Sequence, residues 1–154
     1  MGERAEKARS LFMEGYNCSQ SVLGAFADLY GLDMNTAMRL SDGLGGGMGR
    51  MRLTCGAVSA MAIVAGLELS SGRPKDSDNR TEVYAKVREM SEKFAEKNGS
   101  VICAELLGSA VPKDNSSRPE ARTAEYYKKR PCAECVYDCA AIIESLLLSD
   151  KTEE

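Results

Sequence analysis

The sequence predicts an all-α chain, a single-domain helical bundle of about five to seven helices with a glycine-rich loop before its central helix. Three observations lead there. The strong helix formers Ala, Leu, Met, Glu and Lys are abundant. Apolar residues recur every three or four positions, while the alternation typical of strands is scarce. Gly, Pro and Asn fall between the periodic runs, where helices start and stop. With 154 residues, 44% of them hydrophobic, the chain can bury a real core, and one domain over 1–154 is expected.

A first helix is expected over residues 4–14, ended by Gly15. Asn17 caps a second over 18–30, which places Cys18, Val22, Ala25, Phe26 and Leu29 on one face and ends at Gly31. A short helix over 36–41, capped by Asn35, precedes the glycine run at 43–50, and the central helix starts around Thr54-Cys55-Gly56-Ala57 and ends near Gly66. Residues 70–79 read as a solvated connection. The helix at 80–97 carries Val83, Val87, Met90 and Phe94 as its stripe and stops at Asn98-Gly99. Ser100 caps a short helix through Cys103 to Leu107, closed by Gly108, and 109–119 is an irregular loop rich in Pro, Ser and Asn. A last helix begins at Pro131 and runs to about Ser149, with Cys132, Cys135, Cys139, Ile142, Ile143 and Leu146 along one face.

Composition then removes whole classes of chemistry. There is no histidine, so no Ser-His-Asp or Cys-His catalytic unit, no C-x-x-C-H haem attachment and no His-ligated zinc. A net charge of -3 gives no general attraction to nucleic acid. The charged start, Gly2-Glu3-Arg4-Ala5-Glu6-Lys7, lacks the apolar run of a signal peptide, and residues 55–69 are too short to span a bilayer. A cytoplasmic chain without membrane insertion is expected, and there six cysteines read as thiols or ligands in preference to structural disulfides.

Cys132, Cys135 and Cys139 share a helical face, and a thiol at a helix start has its pKa lowered by the dipole. Lys128, Lys129 and Arg130 add positive charge, whereas Cys139, beside Ile142 and Leu146, reads as a small core residue. The run from Gly43 to Met48 lacks the last glycine of a dinucleotide fingerprint, and no G-K-[ST] follows it. Its backbone N–H groups can instead approach sulfur, with Arg50 and Arg52 near Cys55.

Four segments occur in order: Asn17-Cys18-Ser19-Gln20-Ser21-Val22, Gly46-Gly47-Met48-Gly49 with Cys55-Gly56-Ala57-Val58, Cys103-Ala104-Glu105-Leu106-Leu107-Gly108, and Cys132 before a C-terminal helix. Together they resemble the C-GCAxxG-C-C family, whose members are described as redox-active, over nearly the whole chain. This chain departs from the pattern at Thr54 before Cys55 and at Ala60, where glycine is common. The resemblance implies Cys18, Cys55, Cys103 and Cys132 as the characteristic cysteines, with Cys135 and Cys139 as additions. It also looks distantly similar to a region of split-Soret cytochromes in which cysteines hold an iron-sulfur cluster.

Four cysteines suffice for such a cluster, used in electron transfer or sensing with a redox partner that no motif identifies. An all-cysteine zinc site ranks second, since structural zinc favours C-x-x-C pairs and these four lie far apart in sequence. Two alternatives stand beside the metal centre: thiol-disulfide exchange through Cys132 and Cys135, with Cys55 resolving, and a helical interaction protein whose cysteines are core. Met48 and Met51 suggest a homodimer face, with core filling as the competing reading.

Overall fold

In the computed structural model, which describes residues 2–149, the chain forms eight α-helices, two of them little more than single turns. They are α1 (Glu3–Met13), α2 (Cys18–Phe26), α3 (Met34–Asp42), α4 (Gly56–Leu69), α5 (Ser77–Asn98), α6 (Cys103–Leu107), α7 (Ala124–Lys129) and α8 (Cys132–Ile142). No strand forms among the described residues; Thr54 and Ile102 make one isolated antiparallel bridge. No helix there is long and apolar enough to cross a membrane.

The helix α2 is central and packs against α1, α3, α4 and α8. Its buried face, Val22, Leu23, Ala25 and Phe26, meets Phe12 of α1, Met61 and Val64 of α4 and Val136 of α8 in one cluster. Met90 and Phe94 close that cluster from α5, while Val83 and Val87 are only half-buried. Small residues permit close crossings. A Cβ at Gly24 would lie 2.5 Å from the Met38 side chain, and one at Gly56 would lie 2.9 Å from the Leu44 carbonyl.

Several local expectations are corrected. The second helix changes to a 3-10 turn at Ala27–Tyr30, which rotates Leu29 off the buried face and leaves it 41% exposed. Asp33, not Asn35, caps α3, its side chain accepting from the Thr36 amide. The helix α4 continues past Gly66 to Leu69, whose carbonyl accepts from Asn79 Nδ2 at 2.8 Å, so one glycine does not end it. The helix α7 has no counterpart in the sequence reading; Thr123 caps it. Pro131 stands one residue ahead of α8, and after Ile142 the helix widens into a π-helical turn at Ile143–Leu147. Met48 and Met51 are exposed, not core filling.

The π turn places a carboxylate where α1 needs one. Glu144, 3% exposed, accepts from the Gly2 amide at 2.8 Å and the Ala5 amide at 3.0 Å, capping a helix that has no cap of its own. Glu144→Ala would leave both amides without an acceptor and should lower stability by about 2–3 kcal/mol. Urea denaturation measures this, and an unchanged midpoint would refute the cap.

Candidate functional site

Each of the four widely spaced cysteines stands where a helix begins. Cys18 is the first residue of α2, Cys55 directly precedes α4, Cys103 opens α6 and Cys132 opens α8. All four line one cavity of about 60 Å³, and Cys135 joins them as a fifth sulfur. Cys139, one turn deeper, is fully buried in the core and lines no part of it.

Hydrogen bonds fix the starts at Cys18, Cys55 and Cys103. Asn17 and Gln20 form a reciprocal capping box ahead of Cys18, while Asn17 Nδ2 also donates to the Asp42 carbonyl at 3.0 Å. Ser19 Oγ donates to the Ser41 carbonyl at 2.6 Å, so α2 is tied to the end of α3 where the glycine loop departs. Cys55 and Cys103 are held across the bridge: the Cys55 amide donates to Val101 and the Cys103 amide to Leu53, at 2.8 and 2.6 Å.

From Gly46 onward the loop between α3 and α4 turns left-handed. Gly46, Gly47, Met48, Gly49, Arg50 and Arg52 all have φ between 59° and 70°. Glycine tolerates this; Met48, Arg50 and Arg52 each do so at a cost of about 1–2 kcal/mol. The loop satisfies most of its own amides, those of Met48, Gly49, Arg50, Arg52 and Leu53 donating to carbonyls of residues 43–47. The amides of Gly46 and Gly47 have no acceptor among the described residues, and both residues line the sulfur cavity. Gly47 also lies against Cys103, where a Cβ would come within 2.7 Å of the cysteine's own Cβ.

The walls are cationic. Arg52 Nη1 lies 3.7 Å from Cys103 Sγ. Arg122 donates to the Phe12 and Tyr16 carbonyls at 3.2 and 2.9 Å and stacks on Phe12 and Tyr126. Arg130 also stacks on Tyr126 and pairs with Glu120 at 2.6 Å. Of the basic run before Cys132, Arg130 is the one that acts on the thiol; Lys129 pairs with Glu125 and is mostly exposed.

These surroundings split the thiols. The Cys18 thiol donates to Cys132 and, with Arg130 and Arg122 nearby, holds the Cys132 pKa down to about 7 despite burial. The same hydrogen bond, together with burial, raises Cys18. Burial pushes Cys55 up to about 11 against the pull of the Val58 and Ala57 amides. Burial also raises Cys135 and Cys139, and it takes Tyr126 to about 12, helped by negative charge on Cys132. Among the described residues no three Cys, Asp or Glu side chains stand together as a ready site for a single metal ion.

The sequence reading named the four cavity cysteines and the glycine loop, and both members of its dithiol, Cys132 and Cys135, line the cavity. Cys18 is the thiol that lowers the Cys132 pKa most. Arg122 and Tyr126 were not read as site residues, and no local pattern marks them.

A family model described as "Putative redox-active protein (C_GCAxxG_C_C)" matches residues 16–146. An uncharacterized protein of Archaeoglobus fulgidus is 29% identical over 161 residues, covering 97% of this chain and 99% of the relative. No solved structure matches the chain.

In metal-free, reduced protein, alkylation of Cys132 should follow pH with a midpoint near 7. Removing the Cys18 donor destabilises the thiolate, so Cys18→Ala should move that midpoint upward; a midpoint that stays in place would disprove the hydrogen bond's role. Gly47→Ala and Gly49→Ala share the same backbone penalty, but only Gly47 is crowded. Gly47→Ala should therefore cost a further 1–3 kcal/mol or so in chemical denaturation, and equal costs would contradict the packing.

Proposed function

Because the chain belongs to the C_GCAxxG_C_C family of redox-active proteins, we propose that the cavity is a redox centre whose Cys18, Cys55, Cys103 and Cys132 thiolates hold an iron-sulfur cluster for electron transfer or sensing. The carrying observation is that four separate helix starts bring one sulfur each to a single cavity. A helix start is electropositive, so α2, α4 and α8 favour negative charge there. Arg52, Arg122 and Arg130 act in the same direction.

The donor set fits the group. Four thiols are the number required, and the free amides of Gly46 and Gly47 are available to donate to sulfur. When bound, the cluster would supply one-electron chemistry at a potential tuned by hydrogen bonds to sulfur and by nearby charge. The chain's own part is to hold the sulfurs, exclude water with Tyr126 and Leu107, and balance charge with arginine.

A second reading rests on the Cys18–Cys132 contact and the lowered Cys132 pKa. The two thiols would form a disulfide, giving up two protons and passing two electrons to a disulfide-class acceptor that becomes two thiols.

Anaerobic reconstitution with iron and sulfide separates the two. The cluster reading expects a brown protein with bound iron and acid-labile sulfide, lost in Cys103→Ser. Colourless, iron-free protein would end it. A reversible, mass-mapped Cys18–Cys132 disulfide in that protein would then carry the second reading.

A further inference from the structure

Beside the sulfur cavity lies a second recess of about 290 Å³, with exposed Asp42, Gly49, Ser117 and Glu120 on its rim. The two share Asn17, Gly46, Arg52, Arg122, Tyr126 and Arg130 as walls. Four guanidinium groups line the outer recess, those of Arg50, Arg52, Arg122 and Arg130. Among the described residues only Arg130 of these is ion-paired, to Glu120.

The other three spend their N–H groups on neutral partners. Arg50 donates to the Ser116 carbonyl at 2.7 Å and to that of Arg118, Arg122 to two carbonyls, and Arg52 approaches the Cys103 sulfur. Carbonyl partners satisfy geometry without cancelling charge. The opposing carboxylates are Glu120, Asp42, which accepts from Asn17, and Asp114, within electrostatic reach of Arg50. Four cations thus face three carboxylates, beside helix starts that are themselves electropositive.

We propose that this recess is the entry port of the sulfur cavity and selects small anionic reactants, those carrying a carboxylate or an oxyanion. Guanidinium groups bind such oxygens in a planar, bidentate manner. A recess of this size sits at the lower end of small-molecule pockets. The port's biological use rests on the redox reading of the cavity; its charge selectivity does not depend on a cluster being bound.

The test uses the full-length, metal-free, reduced chain and two alkylating probes of similar size, anionic iodoacetate and neutral iodoacetamide. Each forms an S–C bond at Cys132 with loss of iodide, mapped by mass spectrometry. Both require the same thiolate, so the ratio of their rates cancels the thiolate fraction and reports charge selection. The iodoacetate-to-iodoacetamide ratio should exceed that of the urea-unfolded chain by about tenfold. It should fall toward the unfolded value in about 0.5 M salt and in Arg50→Glu, with Arg50→Gln used if charge reversal prevents folding. Lys93→Glu, in a different recess, should retain the high ratio. A ratio equal to the unfolded one, insensitivity to salt and to Arg50, or a Cys132 unreactive to both probes in the folded chain would overturn the port. Iron and sulfide content judges the cluster separately, so a colourless protein with a high ratio keeps the port and loses the cluster.

Discussion

The constraint on which the rest of this structure depends is electrostatic: several helices start at one small cavity, and all present the same sign of charge to it. In a soluble bundle, helix starts normally face solvent, where water satisfies their free amides. Here α2, α4 and α8 turn theirs inward, and Arg52, Arg122 and Arg130 add full charges. Such an arrangement favours negative charge at its centre. The Cys18 thiol, with Arg130 and Arg122, holds the Cys132 pKa down to about 7, while burial in the low-polarity walls raises Cys55 and Cys135.

The glycine loop is the other half of that arrangement. Its left-handed turn keeps backbone close to Cys103 and brings Gly46 and Gly47, whose amides have no acceptor among the described residues, to the cavity wall. Three of its left-handed residues are not glycine, so the chain holds a few kcal/mol of strain there, at about 1–2 kcal/mol for each. The loop's own ladder of hydrogen bonds and the contacts of Arg50 and Arg52 hold it in place. Strain next to a set of sulfurs is consistent with a backbone selected for what it approaches.

Much of this was legible because it is local. Asn17 followed by Gln20 encodes a capping box, Gly31 and Gly99 encode stops, a continuous apolar run encodes α4, and apolar spacing encodes α5. The four spaced cysteines were legible through their ordered motifs, each tied to a helix start. What escaped depends on residues far apart in the chain. Arg122 follows an irregular loop and acquires its place by donating to carbonyls at the end of α1, more than a hundred residues earlier. Glu144 caps α1 from the opposite end of the chain, and Cys18 meets Cys132 although their sequence contexts share nothing. The face shift at Leu29 and the extension of α4 were missed for a different reason: each turns on a weak local preference, a 3-10 turn before Gly31 and a helix that tolerates Gly66.

The capping of α1 by Glu144 and the meeting of Cys18 with Cys132 both join the two ends of the chain. During synthesis the N-terminal helices emerge with Cys18 and Cys55 already made, but the cavity gains its fourth wall only when α8 is delivered. Until then these thiols face an unfinished interior. Completion of the sulfur site therefore waits for α8, and any group bound by all four sulfurs would act as a clasp that reports, by its presence, that this helix has docked.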